Sequence, residues 1–305
     1  MAVPANSQSL TELLTDLFEP KFTDAMNRSN FMLQRFSRTS GTDMKKQWKV
    51  HYAGNESGGS YDEGDPLPTP GVQSYSEAVI PFRWNWIHYG TTGQIEEATK
   101  GKGGYFEALA SEAKEATEDL KDIINTQLLA TTKANTTDLD GIGVIVQDTG
   151  TYAGIDRSTD PYWQSYVLDN GGDERDLTVE LMQDVYRNLA QPDRRAKVTG
   201  ILTSFKHFDD YGNLLQVYRR YQNDYTLDGG HRALEFMGKP VVGVEGMADG
   251  DMYFLDESEW EYCVMLNYKT EEKDVQADAK RFMIKHYSSL ICKHPGRQGR
   301  ITDLD

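Results

Sequence analysis

From Tyr105 to Ala130 apolar residues return at three- and four-residue steps. Phe106, Leu109, Ala110, Ala113, Ala116, Leu120, Ile123, Ile124 and Leu128 fall on one side, and Glu107, Glu112, Lys114, Glu115, Glu118 and Lys121 on the other. That period predicts an amphipathic helix. At about 1.5 Å per residue it spans about 39 Å, far beyond the usual helix of about 12 residues, and it reads as a structural spine. Gly103 and Gly104 mark its start.

The flanking stretches carry different periods. Ser9 is placed to cap a short helix through Phe18, with Leu10, Leu13, Leu14 and Leu17 on one face and Pro20 as its stop. Phe22, Met26, Phe31, Leu33 and Phe36 continue the apolar pattern among Arg28, Arg35 and Arg38. So much apolar surface on a leading arm calls for a partner to cover it. KKQWKVHY and SYSEAVIPFRWNWIHYG are aromatic, partly alternating segments that predict strands. Between them AGNESGGSYDEGDPLPTPGVQ holds Gly or Pro at 54, 58, 59, 64, 66, 68 and 70, among others, which excludes regular structure. The expectation is an extended hairpin carrying Trp48, Trp84 and Trp86, with a long tip lying across a neighbour.

From about residue 140 strands and helices alternate. GIGVIV predicts a strand, Asp176 or Thr178 through Leu189 a helix, and Val198–Ser204 a buried strand. Phe205–Val217 predicts a further helix, and GKPVVGVEGM and DMYFLD predict strands around the turn Ala248-Asp249-Gly250. Trp260–Thr270 and Ala279–Lys293 are two long strand candidates around a charged turn. The class is α+β.

Composition narrows the function. The chain is 38% hydrophobic, enough for a folded core, and its net charge of −16 argues against general nucleic-acid binding, which rests on a basic surface. Cys263 and Cys292 lack CxxC spacing and point to buried thiols in a reducing compartment. The first twenty residues are not patterned as a secretory signal, and no apolar run approaches the length of a membrane span. The sequons at Asn27, Asn55 and Asn135 then read as chance matches.

Chemistry is sparse. GKGG at Gly101 and GIG at Gly141 lack the spacing and context of a phosphate loop. His207 with Asp209 and Asp210 is the nearest approach to a metal site or hydrolytic pair, set against a solvated helix start with acids near its positive end. Cys292 and His294 share a strand face but do not make a site. No catalytic residue, cofactor or metal is assigned.

Three segments and the order of elements carry a resemblance. TYAGIDRSTDPYWQSYV (Thr151–Val167), GKPVVGVEGMADGDMYFLDESEW (Gly238–Trp260) and the ending DVQADAKRFMIKHYSSLICKHPGRQGRITDL resemble segments of tailed-bacteriophage major capsid proteins with the Hong Kong ninety-seven-type coat fold. The resemblance implies an N-arm at 1–43, an E-loop at 44–100, a P-domain built from 101–140 and 257–293, and an A-domain at 141–256 with 294–305. It implies a shell protein assembling as pentamers and hexamers into an icosahedral capsid around double-stranded DNA. A virion location after assembly in the host cytoplasm follows, as does the absence of any membrane partner. Portal, scaffolding and decoration proteins are the implied partners. The scaffold would be a separate chain, because too few residues precede the spine for a large built-in one. Subunit contacts are expected at Phe31, Phe36, Trp48, Tyr52, Tyr61, Trp84, Trp86, Glu271, Glu272 and Lys273. An encapsulin-like compartment, a virion accessory protein and a hydrolase using His207 are the alternatives.

Overall fold

The computed structural model describes residues 36–55, 57–60, 62–63, 71–94, 104–216, 225–226, 232–274 and 278–305. The helix expected at 9–18, the apolar stretch up to residue 35 and residues 56, 61 and 64–70 of the hairpin tip lie outside the described residues.

The chain enters through β1 (Ser37–Ser40), followed by β2 (Lys45–Ala53), β3 (Ser74–Pro81) and β4 (Arg83–Thr92). β2 and β3 form the expected antiparallel hairpin, with Lys45 opposite Pro81 and Lys49 opposite Glu77. The second arm does not run on through Trp84 and Trp86 as the sequence pattern suggested. It breaks at Phe82, whose ring is buried so tightly against Gly41 that a Cβ there would lie 2.3 Å from it. The Phe82 N–H donates to the Met44 carbonyl (3.1 Å). The chain therefore turns at Phe82 and β4 joins a different sheet.

Spine helix α1 (Gly104–Leu129) follows, with Leu109, Ala113, Ala116, Leu120, Ile124 and Leu128 buried. Two positions exchange the roles that the periodicity predicts. Ile123 is 41% exposed, while Lys121 is buried and reaches Glu118 at 2.6 Å. Each four-residue step from Ala116 to Leu128 advances about 40° around the helix, so the buried stripe rotates toward Lys121 and away from Ile123.

Next comes α2 (Ile142–Ile145), in place of the strand expected from GIGVIV. Glycine alternating with branched residues imitates a strand pattern, but here the glycines serve close approach to the end of the spine. A Cβ on Gly141 would sit 2.5 Å from the Gln127 carbonyl oxygen, and one on Gly143 2.6 Å from Thr131 Cα. Buried Arg157 caps the short helix, donating to the carbonyls of Ile145 and Thr149. Its position is set by the tight hairpin of β5 (Thr151–Tyr152) and β6 (Ile155–Asp156), whose turn residues Ala153 and Gly154 both have positive φ (54° and 81°).

The remaining elements are β7 (Tyr166–Leu168), α3 (Val179–Leu189), β8 (Gly200–Thr203), α4 (Phe205–Gln216), β9 (Tyr225–Thr226), β10 (Arg232–Phe236), β11 (Lys239–Gly243), β12 (Met252–Leu255), β13 (Trp260–Lys273), β14 (Ala279–Cys292) and β15 (Gly299–Ile301). Thr178 caps α3, its hydroxyl accepting from the Leu181 N–H (3.3 Å). A seven-stranded mixed sheet has the order β7-β15-β12-β8-β11-β10-β9. β11 and β12 do not pair with each other; they flank β8, one parallel to it and one antiparallel.

One face of this sheet, with Ile201, Val241, Phe254 and Ile301, packs on Met182, Val185 and Leu189 of α3 and Tyr211 of α4. The opposite face, with Leu202, Val242, Tyr253 and Leu255, joins the core under α1 and α2. That same core covers the inner side of a four-stranded sheet, β1-β13-β14-β4, so the two sheets share the spine helix as a common support.

Candidate assembly surfaces

The surface that stands out is the outer side of the four-stranded sheet. Along β14 the side chains alternate: Phe282, Ile284, His286 and Ser288 are buried, while Arg281, Met283, Lys285 and Tyr287 look outward. Their cross-strand partners on β4 are Gly90, His88, Trp86 and Trp84. Trp84 and Trp86 are each 56% exposed. The Trp84 ring lies 5.6 Å from that of Tyr287, and Trp86 lies 4.6 Å from His88.

Beside this aromatic strip sits a charge cluster on β13 and β14. Glu271 pairs with Lys273 (3.1 Å), Lys269 (3.5 Å) and Lys285. Hydrogen bonds from Lys285 and then Lys273 hold its carboxyl down at about 2. With Arg281 the face carries four cations to one carboxylate, a local reversal in a chain of net charge −16. The far side of the layer has the opposite sign. The exposed face of α1, which lies over the inner side of the sheet through the Asn85–Gln127 hydrogen bond (3.1 Å), presents Glu112, Glu115, Glu118, Asp119 and Asp122 with Lys114.

The residues expected at subunit contacts divide three ways. Trp84, Trp86, Glu271 and Lys273 meet on the outer face, and Glu272 is exposed at the same end of β13. Trp84 and Trp86 belong to this sheet rather than to the hairpin. Phe36, Trp48 and Tyr52 are engaged within the chain. Phe36 is 5% exposed and stacks on Trp260 at 5.2 Å, which corrects its expected role as a surface contact. Trp48 donates its indole N–H to the Lys293 carbonyl (3.2 Å), and Tyr52 stacks on Tyr162 at 4.9 Å, so both tie strand β2 of the hairpin to the body. Phe31 and Tyr61 lie outside the described residues. Lys269, Lys285 and Tyr287 were missed, although the strict alternation of Arg281 to Ser288 marks the outward set.

The candidate chemistry is occupied by structure. His207 is fully buried rather than at a solvated helix start; its Nε2 accepts from the Gly250 N–H (3.0 Å) and its Nδ1 lies 3.4 Å from Asp210. Cys292 is likewise buried, and burial pushes its thiol far up. Among the described residues no cluster of three or more His, Cys, Asp or Glu side chains is placed to hold a metal ion. No described helix is long and apolar enough to cross a membrane.

These layers, in this order, define an α+β protein with the Hong Kong ninety-seven-type coat fold. The capsid asymmetric unit of cyanophage A-1(L) matches at 18% identity with a TM-score of 0.72, covering 90% of this chain and 92% of that one. The holo-SrpI encapsulin complex of Synechococcus elongatus PCC 7942 matches at 7% identity and TM-score 0.62, covering 90% and 87%. A structure of the satellite phage P4 procapsid including size determination (Sid) protein matches at 13% identity and TM-score 0.56, covering 100% and 93%. No family model and no curated protein sequence matches the chain.

Proposed function

We propose that this chain is the major capsid protein of a tailed phage, a structural rather than catalytic subunit that assembles as hexamers and pentamers into an icosahedral shell around double-stranded DNA. The observation that carries the reading is the shared fold over 90% of the chain with the cyanophage A-1(L) capsid subunit. In this reading residues 1–43 are the N-arm and the β2–β3 hairpin with its tip is the E-loop. The spine and the four-stranded sheet are the P-domain, and the seven-stranded sheet with the C-terminal return is the A-domain. β4 goes with the P-domain, because its whole length pairs with β14.

Charge supports a contact between copies. Residues 54–73 carry Glu56, Asp62, Glu63 and Asp65 and no cation, whereas the outer face of the four-stranded sheet is cationic and aromatic. The E-loop of one subunit laid on the P-domain of the next brings the two together, and many such weak contacts close a shell. Portal, scaffolding and decoration proteins are the partners of that assembly, and the virion is its location. The P4 procapsid match, whose structure includes a second protein, supports a scaffold-type partner.

Electron microscopy of the purified protein, alone and with a candidate scaffold, tests this: closed shells or rings of five and six are expected. A strict monomer in both conditions would overturn it. The likeness to an encapsulin favours a second reading, a protein compartment. Shells recovered with protein cargo instead of nucleic acid, from cells making the complete particle, would select that one.

A further inference from the structure

Asn170 is followed by Gly171 and Gly172, with φ of +72° and +88°, and the Asp173 N–H returns to the Asn170 carbonyl (3.4 Å). This is a tight turn of the type that needs two left-handed residues. The Asn170 amide nitrogen donates to the Asp173 carbonyl (2.7 Å), so the side chain reaches across the turn. The Gly171 N–H itself has no hydrogen-bond partner among the described residues, and the turn is exposed. On either side of it, the N–H groups of Asn170 and Gly172 both donate to one carboxylate oxygen of Asp303 (2.8 and 3.2 Å). Those bonds hold the Asp303 carboxyl below its ordinary range, the bond from Asn170 having the larger effect. Asp303 sits at φ +58° in the C-terminal return, which also binds back through Arg175 N–H to Asp303 O, Leu304 N–H to Gly250 O and Asp305 N–H to Arg175 O (2.9, 3.1 and 2.9 Å).

We propose that Asn170 is a site of spontaneous deamidation, gated by the Asp303 carboxylate, and that its conversion unlatches the C-terminal residues 302–305. The Gly171 nitrogen, losing its proton to solvent base, attacks Asn170 Cγ. A Cγ–N bond forms, the Cγ–Nδ2 bond breaks, and ammonia leaves with a proton from water. Water then opens the resulting five-membered imide at either carbonyl, leaving aspartate or isoaspartate. Glycine presents no side chain against the ring closure. The two bonds to Asp303 oppose it, because closing the ring requires rotation between the two N–H groups that one carboxylate holds. Isoaspartate adds a methylene to the main chain between those donors, so a single oxygen no longer reaches both.

The test is to incubate the whole protein in mildly alkaline buffer beside a free peptide of residues 167–176, following peptide masses and isoaspartyl methylation. The expected result is complete conversion at Asn170, several-fold slower than in the peptide, and absent in Asn170→Gln. Amide exchange at Leu304 and Asp305 should rise with conversion. Asp303→Ala, checked for folding by circular dichroism, should convert faster than the natural chain. An intact Asn170 after the peptide has fully reacted overturns the site. Equal rates in protein and peptide overturn the gate, and unchanged exchange after conversion overturns the latch.

Discussion

His286 Nε2 lies 2.9 Å from the Tyr262 hydroxyl inside the four-stranded sheet. Tyr262 also hydrogen-bonds Ser288 Oγ (2.9 Å), so imidazole, phenol and serine hydroxyl form one buried chain. Tyr268 stacks on the same imidazole at 4.3 Å, and His286 Nδ1 is buried with no hydrogen-bond partner among the described residues. Burial, aided by the Arg38 charge, pushes the His286 pKa down to about 3.

The sign of the pH dependence follows. The unfolded chain takes up this proton below about 6.5 and the folded chain only near 3, so folding binds fewer protons across that window. Stability is full above 6.5 and falls as pH drops, by up to about 1.4 kcal/mol per pH unit for one proton. His294, pushed down to about 4 mainly by burial, adds to the slope. Urea midpoints of the unassembled subunit should fall between pH 6.5 and about 5.5, above the range where ordinary carboxylates titrate, and His286→Phe should flatten the slope. A midpoint constant over that interval would contradict the buried neutral imidazole.

Gly143 tests the contact between α2 and the spine. The Cβ of Gly143→Ala would meet Thr131 Cα at 2.6 Å and the Tyr253 hydroxyl at 2.7 Å, and a backbone atom cannot swing aside as a side-chain end does. The expected loss is roughly 1–3 kcal/mol by denaturant titration. Gly212→Ala, whose Cβ would meet, among the described residues, only a Leu234 methyl at 3.6 Å, should cost much less and serves as the control.

The difference between these two glycines shows where sequence reasoning reached. The spine, the two long strands and the alternation of strands and helices after residue 140 were legible, because each has a long, regular period. GIGVIV was not, since its glycines answer to a close approach set by residues elsewhere in the chain. Phe82 lay within a segment read as one strand arm, and its burial against Gly41 marks it as a corner between two sheets. Among the surface residues, the tryptophans were visible by type, while Lys285 and Tyr287 needed the sheet register to bring them beside Trp86 and Trp84.

Arg300 and Asp251 form a buried bidentate pair, with three N–O distances of 2.9 to 3.0 Å, joining the C-terminal strand to β12. Removing one partner leaves the other charge buried, so Arg300→Met should cost roughly 3–5 kcal/mol. Asp251 also accepts from the Tyr253 hydroxyl (3.1 Å), so replacing both charges with apolar groups strands that hydroxyl and should restore only part of the loss. A double-mutant cycle in urea measures the coupling. Additive single losses would show that the pair contributes nothing beyond its separate parts.

The outer aromatic strip separates assembly from folding. Trp84 and Trp86 are more than half exposed, so Trp84→Ala with Trp86→Ala should change the stability of the isolated subunit by less than about 1 kcal/mol. If a neighbouring copy covers the rings, each offers roughly 2–4 kcal/mol of further burial per contact. Repeated around every subunit, that loss should raise the concentration needed for shell formation by at least tenfold, read by light scattering and microscopy. Lys285→Glu should act in the same direction and more strongly at low salt, since it opposes the acidic 54–73 segment and leaves Glu271 beside a like charge. Phe36→Ala provides the contrast: its ring is buried on Trp260, so it should weaken the subunit itself. Normal shells from the double tryptophan variant would remove the outer face from the assembly contacts while leaving the fold reading intact.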